Sequence, residues 1–146
     1  LGGLVGREFQ AGCFGENLTT SGVDVTGALV GERWRVGSGD DAVELVVTLP
    51  RIPCHTFRAW IDERGWLKTF TAQARPGAYL AVSRPGTIRP GDAVEVLFRP
   101  EHDVTMGVLF RSQTLERDLA ARVLTAREYL EADSIEYAQK RVSAAR

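Results

Sequence analysis

The sequence predicts a mainly β domain: a compact barrel-like sheet with a short central helix and a C-terminal helical tail. Three observations lead there. Apolar and polar residues alternate over several short stretches, Gly- and Pro-containing turns separate those stretches, and sustained helical spacing is confined to the last third. With 146 residues and 44% hydrophobic content, the chain fits one domain. At this length folding buries roughly 70% of the surface an unfolded chain exposes, so a core forms without disulfides.

Residues 1–31 carry turn signals at Gly12, Gly15, Gly22, Gly27 and Gly31 and read as loops with short extended pieces. Over Glu32 to Val36, Trp34 and Val36 alternate with Arg33 and Arg35; Val43, Leu45, Val47 and Leu49 repeat the period of two. Gly37-Ser38-Gly39-Asp40 joins these strands as a hairpin. Pro50 and Pro53 end the second strand, since neither has an N–H for a ladder. Phe57, Trp60 and Ile61 fall at helical spacing until Gly65 interrupts, and Trp66, Leu67 and Phe70 form a further apolar patch. Tyr79 to Val82, Ala93 to Arg99 and Val104 to Phe110 read as further strands, which closure into a barrel would relieve of exposed edges. In the tail, Leu115, Leu119 and Val123 recur at intervals of four, and Ile135, Ala138 and Val142 share another face. Thr125 with Glu128 fits a capping box, and Ser134 is the expected N-cap of the last helix. The division is therefore a barrel domain over residues 1–110 and a helical tail over 111–146.

Charge excludes some functions. With 18 Lys and Arg against 19 Asp and Glu, no overall field draws nucleic acid or an anionic membrane, so neither is an expected partner. No stretch approaches the ~20 apolar residues that cross a bilayer, and no signal core opens the chain. Two cysteines are too few for a disulfide scaffold, which points to reduced thiols and a cytoplasmic, soluble protein. The beginning, Leu1-Gly2-Gly3, suggests an excerpt from a longer chain.

The most informative local feature is Pro50-Arg51-Ile52-Pro53-Cys54. Two prolines stiffen the loop, and Arg51 favours a thiolate that suits a soft metal or sulfur transfer. The alternative is a buried, inert cysteine. His55 is not implied as a base, because neighbours in an extended segment point to opposite faces. Cys13 and His102 are too few companions for a zinc site. No dinucleotide, phosphate-loop, GxSxG or HExxH pattern occurs, and pyridoxal phosphate binding is not expected. Phe14-Gly15-Glu16-Asn17-Leu18-Thr19 offers a carboxylate and an amide for a polar ligand; the alternative is that Asn17 and Thr19 satisfy local backbone groups in an irregular loop. Arg75-Pro76-Gly77-Ala78-Tyr79 presents a cation and a phenol at a strand entrance, where a solvated Arg75 is the default.

Three segments, FGENLTTSGVDV, GERWRVG leading through LVVTLPRIPC, and RPGAYLAVSRPGTIRPGDAV, stand in the order seen in MOSC domains. Over roughly Gly6 to Phe110 the chain resembles the YiiM-like branch of that family, and its helical tail is similar too. The resemblance implies a β-barrel related to that of pyruvate kinase and a molybdenum-pterin cofactor ligated by Cys54. It further implies a pocket shaped by Glu16 and Asn17, with Arg51 and Arg75 as donors to the cofactor phosphate and Tyr79 beside them. Two departures stand out: nothing before Leu1 supplies the HGG-type upstream strands of relatives, and Ala81 stands where relatives often carry Arg.

The activity so implied is reduction of small N-hydroxylated substrates, with electrons from a separate electron-transfer protein, since no flavin, nicotinamide or iron–sulfur motif occurs. The rival from another class is a sulfur-carrier or binding module holding a persulfide on Cys54. A third is a barrel that has lost activity.

Overall fold

The computed structural model describes residues 9–144, so the part of the expected N-terminal loop region in residues 1–8 lies outside the described residues. The expected hairpin forms as β1 (Arg33–Val36) and β2 (Val43–Pro50), with Trp34 opposite Leu45 and Val36 opposite Val43. These four apolar side chains are buried on one face, as a period-two pattern requires. The intervening residues make a 3-10 turn over Gly39–Asp41.

The chain then forms α1 (His55–Ile61) and α2 (Trp66–Gln73). Gly65, at φ 78°, makes the left-handed break between the helices that a side chain resists. β3 (Ala78–Arg84) returns against β2, and β4 (Val94–Phe98) against β1. The remaining helices are α3 (Met106–Thr114), α4 (Ala120–Val123) and α5 (Ala132–Ala144).

The sheet is antiparallel with order β3-β2-β1-β4, and it does not close. The barrel expectation is therefore corrected to an open four-stranded sheet in a small α/β fold: β3 and β4 are its two edges. Four strands are too few to curl into a cylinder, which in small barrels takes about eight.

The expected strand Val104 to Phe110 is largely helix α3; only Thr105 makes an isolated bridge, to Leu29. Val104, Met106, Val108 and Phe110 do alternate, but Met106, Leu109 and Phe110 also fall at i, i+3 and i+4, and all three are buried. Thr105 decides between the periods: its Oγ1 accepts the Val108 N–H at 3.1 Å and caps the helix. The capping box at Thr125 and Glu128 is likewise corrected. Thr125 Oγ1 donates to the Arg122 carbonyl at 2.8 Å inside a run of 3-10 turns over Leu124–Tyr129. Ser134 is a buried residue in the first turn of α5, not its cap. Leu115 is exposed and Leu119 sits in a separate 3-10 turn, so their stripe does not lie on one helix. The Ile135, Ala138 and Val142 face does pack, with Ala138 buried and Val142 against the main core.

Two cores result. Val30, Trp34, Val47, Met106 and Leu109 pack with Val123, Ala126 and Ala138 of the tail, so sheet and tail share one apolar interior. Full burial of each large side chain contributes about 1.5–3 kcal/mol. The second core is aromatic: Phe57, Ile61, Trp66, Phe70 and Phe110 hold α1 and α2 against α3, and Phe9 and Phe14 close it. Trp66 is enclosed by rings, and its indole N–H has no acceptor among the described residues. No helix among them is long and apolar enough to cross a membrane.

Candidate functional site around Cys54

Pro50 is the last residue of β2, and residues 51–54 run extended into α1, so the thiol is carried out of the sheet on a short stiff bridge. Cys54 is the N-cap of α1 (φ −128°, ψ 175°) and is exposed, which sets aside the buried, inert alternative. No fully formed capping hydrogen bond reaches its sulfur. Even so, the Phe57 amide N–H pulls the thiol pKa down more than any other group. Desolvation, next in size, opposes it, while the amide and hydroxyl of Thr56 and the charge of Arg51 add to the lowering. The direction follows from helix geometry, because first-turn N–H groups favour an anion even at longer range than a tight bond.

Arg51 serves the loop more than an open pocket. Its guanidinium lies 4.3 Å from the Phe57 ring centroid, and its Nη1 donates to the Phe14 carbonyl. The turn bearing Phe14 is thereby clamped to the root of α1. A second clamp is the Trp60 indole N–H, donating to the Cys13 carbonyl at 2.8 Å. Sequence spacing placed Trp60 in the core, whereas its ring is 72% exposed. The Phe14 ring completes the attachment, edge-on to Phe57 at 5.7 Å.

Glu16 organises its own loop. Its carboxylate accepts the Gly12 N–H at 2.6 Å, the Phe14 N–H at 3.0 Å and the Thr19 hydroxyl at 3.1 Å. Partial desolvation would raise its pKa, but these donors and its own amide outweigh that and hold the carboxyl below the ordinary range. Asn17 is exposed. The loop's polar residues thus satisfy one another first, and the turn they stiffen is the one docked on α1.

Arg75, just past α2, is exposed and lines a cleft of about 700 Å³ with Thr20, Thr26, Thr105 and Arg111. Arg111, in no motif of the sequence reading, forms a two-pronged pair with Glu116 at 2.6 and 2.7 Å. Tyr79 stands exposed on β3, opposite Leu49, and Ala81 is exposed two residues on. A second cleft, of about 290 Å³, is lined by Asp24, the buried Glu32 and Arg99. Cys54 lines neither cleft. The structure thus brings Cys54, Arg51 and the Glu16 loop together through α1, and sets Arg75 at a separate cleft.

An open antiparallel sheet whose second strand leads through a proline-braced loop to an exposed, anion-stabilised cysteine defines a thiol-bearing α/β domain. The chain belongs to the MOSC domain family, whose model matches residues 2–95. It is structurally similar to YiiM from Geobacillus stearothermophilus, with a TM-score of 0.83 and 27% identity over 96% of this chain and 71% of that one. It is also similar in fold to YiiM from Escherichia coli, with a TM-score of 0.76 and 24% identity over 93% and 66% of the two chains. A curated protein of Gibberella moniliformis named "Reductase" is 30% identical over 92 residues, which are 63% of this chain and 16% of that protein. The chain thus spans about a sixth of that curated relative and about two thirds to seven tenths of the YiiM structures.

Proposed function

We propose that this chain holds a molybdenum-pterin cofactor through the thiolate of Cys54 and takes part in the reduction of small N-hydroxylated substrates. The observation that carries the reading is Cys54 itself: exposed, on a rigid bridge, with a lowered pKa. Membership of a family associated with molybdenum cofactors supports it, as does a relative named "Reductase".

The residues fit such a group in two respects. A thiolate is a soft ligand that suits molybdenum, and the first-turn amides of α1 lower the thiol pKa and so favour the metal-binding form. Arg75 is exposed on the threonine-rich cleft, which Cys54 does not line, and in this reading it donates to the cofactor phosphate. Arg51 lowers the thiol pKa and braces the loop, while Glu16 and Trp60 keep that loop seated. The bound cofactor would supply two-electron chemistry of the form R–NHOH + 2 e⁻ + 2 H⁺ → R–NH₂ + H₂O. The chain's own residues hold, orient and charge-balance; the electrons come from a separate electron-transfer protein.

The test is metal analysis of the chain and its Cys54→Ser variant, purified from cells that make the cofactor. The expected result is about one molybdenum per wild-type chain, lost in the variant without change in circular dichroism. Metal retained by the variant would show that another group anchors the cofactor. A persulfide on Cys54 by intact-mass measurement, with no molybdenum, would establish the sulfur-carrier role instead.

A further inference from the structure

Charge is unevenly spread over the chain. Residues 51–75 hold Arg51, Arg58, Arg64, Lys68 and Arg75 against Asp62 and Glu63, a local excess of three positive charges in a chain of net −1. Seven ion pairs form among the described residues, and none involves a residue of this segment. Elsewhere Arg35, Arg84, Arg89, Arg99, Arg111, Arg122 and Lys140 each meet a carboxylate, whereas Arg33, Arg117, Arg127 and Arg141 are, like this segment's cations, in none of the seven pairs. Arg58, Arg64 and Lys68 are exposed without one. Like charges left unneutralised disfavour the compact state, but they are suited to a partner that brings the counter-charge.

The same segment carries Trp60, the most exposed large apolar side chain among the described residues at 72%, and Ile52 at 43%. Since the Trp60 N–H is already bonded to the Cys13 carbonyl, hydrogen-bonding to water does not account for an indole at the surface. That bond also holds the ring, so an occupant meets a pre-ordered aromatic anchor carried by an arginine-rich segment, and aromatic residues and arginine are enriched at the centres of protein interfaces. Cys54 caps α1 at one end of this surface, and Arg58 donates its backbone N–H to the Cys54 carbonyl one helical turn away.

We infer that the exposed face of α1 and α2 is a docking surface for an acidic protein, and specifically for the electron donor of the site at Cys54. The first half rests on charge and exposure; the second rests on the reductase reading. A donor must approach the reacting centre, and this face begins there. A protein fits better than a nucleic acid, because the excess cations are confined to one short stretch of a net-negative chain, which a long polyanion would overrun.

Plant-type [2Fe–2S] ferredoxin, an acidic electron carrier, serves as the probe. Titrated into isotope-labelled, cofactor-free chain, it is expected to shift amide signals of α1 and α2, with affinity falling at least about tenfold between ~20 and ~200 mM salt. R64E/K68E, two exposed positions outside the cofactor ligands, is expected to abolish the shifts while leaving circular dichroism unchanged; R58A should weaken them severalfold. Shifts on another face, no shifts, or tighter binding of a decamer of uridylate at the same residues would each overturn the inference. With cofactor loaded, R64E/K68E is expected to lose at least about tenfold in ferredoxin-driven turnover of an N-hydroxylated base while retaining its viologen-driven rate. Turnover with reduced viologen but no ferredoxin binding would sink this inference alone. Ferredoxin binding at α1 and α2 in a chain that takes up no molybdenum would sink the reductase reading and the donor role, and leave the acidic docking face standing.

Discussion

Glu32→Ala offers the sharpest check on how the sheet is held. The buried carboxylate accepts the Trp34 indole N–H at 2.7 Å and the Leu29 amide at 3.2 Å, and meets Arg99 at 3.4 Å. Removing it orphans two donors. Trp34 is buried and Leu29 half-buried, and leaving a buried donor unsatisfied costs about 1–3 kcal/mol, so the total comes to about 3 kcal/mol. The arginine contributes much less: its side chain is 67% exposed, and exposed pairs are worth about 0–1 kcal/mol. Urea denaturation of wild type, Glu32→Ala and Arg99→Ala, with m-values compared, separates these contributions. In a domain of this size the alanine variant should also melt about 10 °C lower. A loss below about 1 kcal/mol for Glu32→Ala, or an equal loss for Arg99→Ala, would refute the assignment of the stability to buried hydrogen bonds.

Alkylation of Cys54 by iodoacetamide should follow a pH profile whose midpoint lies below that of an ordinary thiol; a midpoint at or above it would remove the argument from the α1 amides. Because the folded pKa is the lower one, the thiolate's contribution to stability is absent below it, grows as pH rises through it, and is complete above the unfolded value. For Glu16 the same sign places a contribution that is complete above the ordinary carboxylate pKa and lost as pH falls through the folded value. Glu16→Gln should therefore flatten the acid limb of stability against pH; an unchanged limb would count against the loop network. At Gly31, φ is 82° and an added Cβ would lie 2.3 Å from Tyr129 Cδ1, so Gly31→Ala should cost about 1–3 kcal/mol in chemical denaturation. A neutral result would mean that Tyr129 swings aside freely.

Local sequence determined the parts whose cause is local. Alternation around Trp34 and Leu45 specifies strands because successive side chains of an extended chain face opposite ways, and the glycines at 37 and 39 supply the turn between them. Pro50 and Pro53 prescribe a stiff bridge, which made Cys54 the visible candidate. Tertiary packing decided the rest. Residues 104–110 fit either period, and the acceptors at Thr26 and Ala28 for the Gly107 and Met106 amides come from a distant loop that local reading cannot place. Helical spacing made Trp60 look like core, but the buried face of α1 is taken by Phe57 and Ile61 against Trp66, Phe70 and Phe110, and the indole is left outside. Glu16 was legible as a polar loop residue; that its carboxylate is consumed by three donors of its own turn was not. Closure or openness of the sheet depends on how many strands meet at its edges, a property of the assembled chain that no short segment encodes.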